Sequence, residues 1–400
     1  MSTADKEHFW LSLYNDRQDV AEQLKEMPKR VKIYDTTLRD GEQFVGVSMN
    51  MEEKLRIAQA LADAGVARIE AGFASMSAED KAAVKAIKEQ VKNADIWGFA
   101  RCNVNDVKDV VDTGVRSLVC EILTSPEKMK AWNMDEETVL KRIRDAVSFA
   151  KKEGLYTAFF AVDATRARPE FLERVYRTAV DDCGADEVVI VDTLGVATPE
   201  AMYALTKQVR EWVKVPMGVH CHNDFGLATA CSIAAVKAGA DCVHVCVNGL
   251  GEKTGNCDIS SLGIALHGLY GVDTGLKLEA LRPLSKLVEE ITKVRVDAQH
   301  PVVGDMAFTR ESGLVIAQML SYPPSIEGYD PAVVGRERDV VLGKKSGKKS
   351  IEYALKKIGA APLDNEGIMT LVDQVKNLGL RKKGTVSFEE FANLVAALKK

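Results

Sequence analysis

The sequence predicts an α/β fold: a (β/α)8 barrel followed by a C-terminal helical appendage. Three observations predict it. Eight short β-rich runs recur between residues 31 and 247. Amphipathic stretches of helical period separate them, as βα units around a parallel sheet require. The first run is followed by Thr36-Thr37-Leu38-Arg39-Asp40-Gly41-Glu42-Gln43, not by the GxGxxG turn of an open doubly wound sheet.

Residues 1–30 read as an N-terminal extension with a polar helix over 17–27, before Pro28. The β runs lie at 31–35, 67–73, 95–100, 117–123, 155–162, 187–192, 217–222 and 241–247, within a barrel domain over 31–275. Eight such runs in about 240 residues is the count a (β/α)8 barrel needs. The helix over 51–65 carries apolar residues at helical spacing and stops at Gly65, a C-terminal cap. The helix over 201–214 follows Thr198 as N-cap and Pro199 at its first position. Residues 276–400 form a C-terminal region, with a helix at 278–294 and a Gly/Pro-containing stretch at 300–335. A basic loop at 343–350 follows, then helices at 350–358, 365–378 and 387–400.

Of 400 residues, 46% are hydrophobic and 28% charged, so the chain can bury a real core and wholesale disorder is excluded. Lys+Arg number 53 against 58 Asp+Glu, a net charge of -5. That small, dispersed excess argues against a nucleic-acid or membrane-surface binder. No apolar run reaches the roughly 18 residues of a membrane span. The N-terminus lacks the basic start and apolar stretch of a secretory signal. None of the eight cysteines forms a CxxC pair, and several sit in apolar runs; they read as reduced core residues of a cytoplasmic protein.

In a barrel, chemistry belongs at the C-terminal ends of the strands, and polar clusters fall there. His220 and His222 stand two apart at the end of the seventh run, which puts both imidazoles on one strand face. With Asp40 after the first run they make a mixed nitrogen and oxygen site for a divalent metal. A lone histidine is usually a core residue; two of the chain's six at this spacing favour a ligand pair. Cys221 between them should face the core. Arg39 beside Asp40 suits stabilisation of charge on a carbonyl or enolate oxygen. It equally suits a structural ion pair at the barrel mouth. Thr193, after the sixth run, could hold a substrate carboxylate or cap a turn. Asn256 and Gln43 are loop amides, which more often satisfy local backbone.

Five segments occur in order: YDTTLRDGEQ (34–43), HCHNDFGLA (220–228), VNGLGEKTGN (247–256), PVVGDMAFTRESG (301–313) and VVLGKKSGKKS (340–350). Together they resemble the 2-isopropylmalate synthase and homocitrate synthase family. That family lies in the superfamily of metal-dependent barrel lyases that also holds 3-hydroxy-3-methylglutaryl-CoA lyase. The resemblance covers about residues 31–360. It implies a (β/α)8 barrel, a divalent metal (Mg, Mn or Zn), a small 2-oxo acid substrate and a homodimer that swaps its C-terminal region. It implies Asp40, His220 and His222 as metal ligands, with Asn256 at or near the metal. Arg39 would be catalytic, stabilising the enolate; Gln43 would line the pocket, and Thr193 would hold the 2-oxo acid carboxylate. The implied reaction joins acetyl-CoA, as co-substrate, to the 2-oxo acid and then hydrolyses the thioester.

Two positions depart from that pattern. Where the family carries SxEDATR, this chain has Ala161-Val162-Asp163-Ala164-Thr165-Arg166, with Val162 in place of the Glu. Where the family carries HESGIH, it has Arg310-Glu311-Ser312-Gly313-Leu314-Val315, with Val315 in place of the second His. The resemblance implies that this Glu and His deprotonate acetyl-CoA. Valine cannot take a proton, and loss of a general base costs a factor of roughly 10² to 10⁴. Little thiol release from acetyl-CoA is therefore expected unless another group takes over, with His300 and His244 the first candidates. The alternative is a metal-dependent aldolase, lyase or decarboxylase, acting on a 2-oxo or 2-hydroxy acid through a metal-bound enolate. A catalytically silent paralogue is the third reading. About 40 residues beyond the resemblance are too few for the regulatory domain of roughly a hundred common in leucine-pathway synthases, so leucine feedback is not expected.

Overall fold

The structure, a computed structural model, describes residues 7–398. The first six residues of the expected N-terminal extension and the last two of the C-terminal region lie outside the described residues. All eight β runs are strands: β1 (Lys32–Asp35), β2 (Arg68–Glu70), β3 (Asp95–Arg101), β4 (Ser117–Leu123), β5 (Tyr156–Val162), β6 (Glu187–Asp192), β7 (Met217–Cys221) and β8 (Cys242–Val245). They pair in parallel and in order, and β8 closes on β1. This is the expected (β/α)8 barrel.

Strand alternation fills two layers. Trp97, Phe99, Val119, Ala158, Phe160 and Val189 pack with one another in the lumen. Their neighbours in sequence, among them Leu118, Phe159, Val188 and Ile190, are buried between strands and helices. Each large apolar side chain so buried contributes about 1.5–3 kcal/mol. Arg68 and Glu187, the first residues of β2 and β6, pair at 2.8 Å, and the guanidinium lies 4.7 Å from the Trp97 ring. That pair plugs the N-terminal end of the lumen and leaves the other end for chemistry.

Helix termini follow the local signals. Thr198 caps the helix Pro199–Trp212 by accepting from the Ala201 N–H at 3.2 Å. The helix Met51–Asp63 opens on a reciprocal Asn50–Glu53 capping box. It ends with Gly65 at φ +88° and the Val66 N–H donating to the Leu61 carbonyl at 3.1 Å. A Cβ at Gly65 would lie 2.2 Å from the Gly275 carbonyl oxygen. Gly65→Ala therefore meets both a left-handed backbone and a clash, and should lower the unfolding free energy by about 1–3 kcal/mol. Urea titration checks this; an unchanged midpoint would mean that the 275 backbone yields without cost.

The first compact unit runs from Leu13 to Val296, beyond the expected 31–275. The helix Leu281–Thr292 belongs to it because its apolar face, with Leu281, Leu284 and Val288, is buried against the helix Met51–Asp63 and the turn after β8. The N-terminal helix is Gln18–Gln23, shorter than expected.

The second unit joins residues 7–12 to 297–398. The Trp10 N–H donates to the Gly328 carbonyl at 2.8 Å, and the Phe9 and Tyr329 rings lie 6.0 Å apart. Its helices Lys348–Lys357, Asn365–Lys382 and Phe388–Leu398 enclose Leu342, Ile351, Leu371, Val375 and Phe391. Two features differ from expectation. A helix, Gly313–Ser321, lies inside the stretch 300–335, and the last three residues of the basic loop already begin a helix. Among the described residues, no helix is long and apolar enough to cross a membrane. All eight cysteines, Cys221 included, are free and buried.

Candidate active site and metal centre

The loop after β1 is locked before it reaches its functional residues. Asp35 accepts from the Thr37 N–H and hydroxyl at 2.8 and 2.9 Å, and Thr37 Oγ1 in turn accepts from the Val247 N–H at 2.9 Å. This turn brings Arg39 and Asp40 over the lumen. From β7, His220 points inward, and His222 follows the strand with its N–H on the Asp192 carbonyl at 3.1 Å. His220 Nε2 lies 3.1 Å and His222 Nε2 3.5 Å from Asp40 Oδ2. Ligand atoms of the three buried residues fall within 4.8 Å of one another, so the expected cluster forms.

The loops after β7 and β8 are stitched together by an antiparallel bridge between His222 and Asn256. Asn256 Nδ2 donates to the Leu250 carbonyl at 3.0 Å. A Cβ at Gly251 would come within 2.1 Å of that nitrogen, so glycine is required there. Asn256 Oδ1 is buried without a hydrogen-bond partner, as are Asp40 Oδ1 and His222 Nε2. Buried unpaired acceptors are costly, and a cation beside them would satisfy them. Two imidazoles, a carboxylate and an amide oxygen are a donor set that fits a divalent metal.

Arg39 is buried at the same mouth. Its Nε donates to Glu70 Oε2 at 2.9 Å, Nη1 lies 3.5 Å from Asp40 Oδ2, and Nη2 is buried without a partner. The guanidinium stacks 4.4 Å from the Phe99 ring. The ion-pair reading of Arg39–Asp40 therefore holds, and one donor remains free beyond it. Burial opposes charge on Asp40, but Arg39 and the two imidazoles hold its carboxyl well below the usual range. Burial lowers His220 to about 4, which keeps the imidazole neutral. Burial raises Glu70 to about 7 against the pull of Arg39.

The remaining expected residues are less committed. Gln43 is exposed on the turn Gly41–Gln43 and lines a cleft of about 410 Å³ with Arg39, Glu42 and Lys54. Thr193 Oγ1 accepts from the Asp163 N–H at 2.8 Å, which serves a turn and leaves its hydroxyl proton available. Val162 closes the end of β5 in the lumen. Val315 lies on the helix Gly313–Ser321, half-buried, beside Arg310 and Glu311 in a cavity of the second unit. His244 stacks on Tyr34 at 4.1 Å, and burial holds it well below its ordinary value. His300 Nδ1 lies 3.0 Å from the Pro301 carbonyl.

Sequence reasoning missed Glu70 and Glu121. Both are acids inside apolar strands, in ARIEAGF and SLVCEIL, and an acid amid buried positions is itself a signal.

The barrel and the second unit each match a known family. Residues 30–288 match the HMGL-like family, and residues 302–383 match the homocitrate synthase post-HMGL domain-like family. Homocitrate synthase AksA of Methanopyrus kandleri is 44% identical over 91% of this chain and 92% of its own length. The 2-isopropylmalate synthase of Methanocaldococcus jannaschii is 39% identical over 93% of this chain and 73% of its own. In fold, the HMG-CoA lyase of Bacillus subtilis superposes with a TM-score of 0.61 at 20% identity, over 68% of this chain and 96% of that one. The hydroxymethylglutaryl-CoA lyase of Pseudomonas aeruginosa gives 0.62 at 22%, over 68% and 95%. With both units matched in order and full-length synthase relatives near 40% identity, the chain belongs to the HMGL-like family, on its homocitrate and 2-isopropylmalate synthase branch.

Proposed function

We propose that the protein condenses acetyl-CoA with a small 2-oxo acid and then hydrolyses the thioester, releasing free CoA. The observation that carries this reading is Arg39. Two of its donors are fixed on Glu70 and Asp40, while buried Nη2 is left to meet a substrate oxygen beside the His220–His222–Asp40 cluster. A preorganised cation in a buried site stabilises charge that develops on a carbonyl oxygen during carbon–carbon bond formation.

Asp40, His220 and His222 would hold a divalent ion, with Asn256 Oδ1 as a further donor. Such an ion supplies Lewis-acid polarisation of the 2-oxo carbonyl. The Thr193 hydroxyl donates to the substrate carboxylate, and its tie to Asp163 fixes its position. Gln43 lines the way in. The homodimer implied by residues 276–400 belongs to the same reading, and a solution mass of two chains is its test.

The deciding assay supplies the metal-loaded protein with acetyl-CoA and pyruvate, 2-oxoisovalerate or 2-oxoglutarate, and follows free thiol. Thiol release with at least one 2-oxo acid is expected. No release with any of them, together with cleavage of a 2-hydroxy acid or aldol, would replace condensation by the lyase reading.

A further inference from the structure

Val162 leaves the end of β5 without an acid, yet the lumen beside it is not apolar. Glu121 stands on β4, the strand that pairs with β5; Glu121 is in register with Phe160, and Leu123 with Val162. Alternation from Val119, a lumen residue, turns Glu121 inward one pleat nearer the mouth. Glu121 and Val162 line one cavity of about 270 Å³, together with Arg101, Lys128 and Trp132. The cavity opens at the C-terminal ends of β3 to β5, the catalytic end of such a barrel.

Glu70 and Asp35, both fully buried near the mouth, are each engaged through at least one oxygen. Glu70 holds Arg39, and Asp35 holds Thr37. No hydrogen bond reaches the Glu121 carboxylate from any described residue. Its side chain is partly exposed, and that exposure faces the cavity.

We infer that Glu121 is the general base of the condensation, replacing from β4 the carboxylate absent at Val162. The inference rests on the condensation reading above. In this step the acetyl-CoA methyl C–H breaks and its proton passes to a Glu121 oxygen. The released electron pair forms the new carbon–carbon bond at the 2-oxo carbon, whose carbonyl oxygen takes up the charge beside Arg39. The charged groups that act on Glu121 are Arg39, Arg101 and Lys128, which favour its ionised form, and Asp40 and Glu70, which oppose it. Burial outweighs them and raises the carboxyl to about 7, a suitable value for accepting a proton near neutrality. Phe160 and Val162, from β5, carry no charge.

The test is Glu121→Gln in the metal-loaded full chain, with acetyl-CoA and the 2-oxo acid that the parent turns over best. The substitution keeps size and removes a buried charge, so metal content and thermal unfolding at pH 8 should not fall. The expected result is a loss in kcat of about 10² to 10⁴, with KM for the 2-oxo acid changed less than about threefold. The parent's fall in rate on the acid side of its pH profile should vanish in the variant. An active parent with an equally active Glu121→Gln overturns this inference alone, as does a slowed variant that keeps the parent's pH profile. A parent that releases no thiol with any 2-oxo acid overturns the condensation reading and this inference with it.

Discussion

Replacing His220, His222 or Asp40 by alanine is expected to remove bound divalent metal and to lower thiol release by at least about 10³-fold. The magnitude follows from what a single bound cation supplies, several kcal/mol of charge stabilisation that no neighbouring residue can duplicate. Geometry makes the three act together, because their donor atoms lie within 4.8 Å of one another. His220 is neutral well below pH 7, so its lone pair is free for a metal without loss of a proton. The fold should survive. His220 packs edge-on to Phe160 at a ring distance of 5.2 Å, and alanine there leaves a cavity beside that ring but removes no backbone pairing of β7 with β6. Metal analysis of the purified variants is the check, with the double histidine variant the sharpest case. Full occupancy in that variant would refute the assigned ligands.

Much of this site could be read from the chain because its parts are local. A strand end carrying His-Cys-His fixes two imidazoles on one face, and Arg39-Asp40 follows its own strand by four residues. The barrel was legible for the same reason: each strand announces itself by its own alternation and each helix by its own caps. What failed were relations across the chain. Alternation says that Glu70 and Glu121 face inward but not which groups act on them there, since that depends on register between segments up to 81 residues apart in chain order, as in Arg39–Glu70 and Asp40–Glu121. The missing acid at Val162 was visible; the acid on the neighbouring strand was not connected with it. The unit boundary at Val296, beyond the expected 275, is not legible in the sequence because an amphipathic helix does not say which body its apolar face will cover. Residues 7–12 read as part of an extension because a pairing of Phe9 with Tyr329 leaves no local trace.

Arg39→Ala should lower kcat/KM by about 10² to 10³, the usual cost of removing one preorganised donor to a developing oxyanion. Arg39→Lys should recover little. One ammonium cannot hold Glu70 and Asp40 in the planar fork and still present a third donor. The substitution also has a structural cost, and pH separates the two effects. Glu70 is fully buried, and its carboxyl already stands at about 7 in the folded protein against an ordinary value of 4.5. A folded value above the unfolded one means that the native state holds the proton more tightly. Stability from this group is then complete at low pH and is lost as pH rises through about 7. Removing Arg39 takes away the cation that favours the charged form, so the folded value rises further and the loss continues to higher pH. Arg39→Ala should therefore be mildly destabilised near pH 5 and destabilised by about 3–5 kcal/mol near pH 8, the cost of a buried charge without its partner. Denaturant titrations at the two pH values measure this. Adding Glu70→Gln to Arg39→Ala should restore most of the stability at pH 8 and none of the activity. Stability that returned together with thiol release would reduce Arg39 to a structural partner of Glu70.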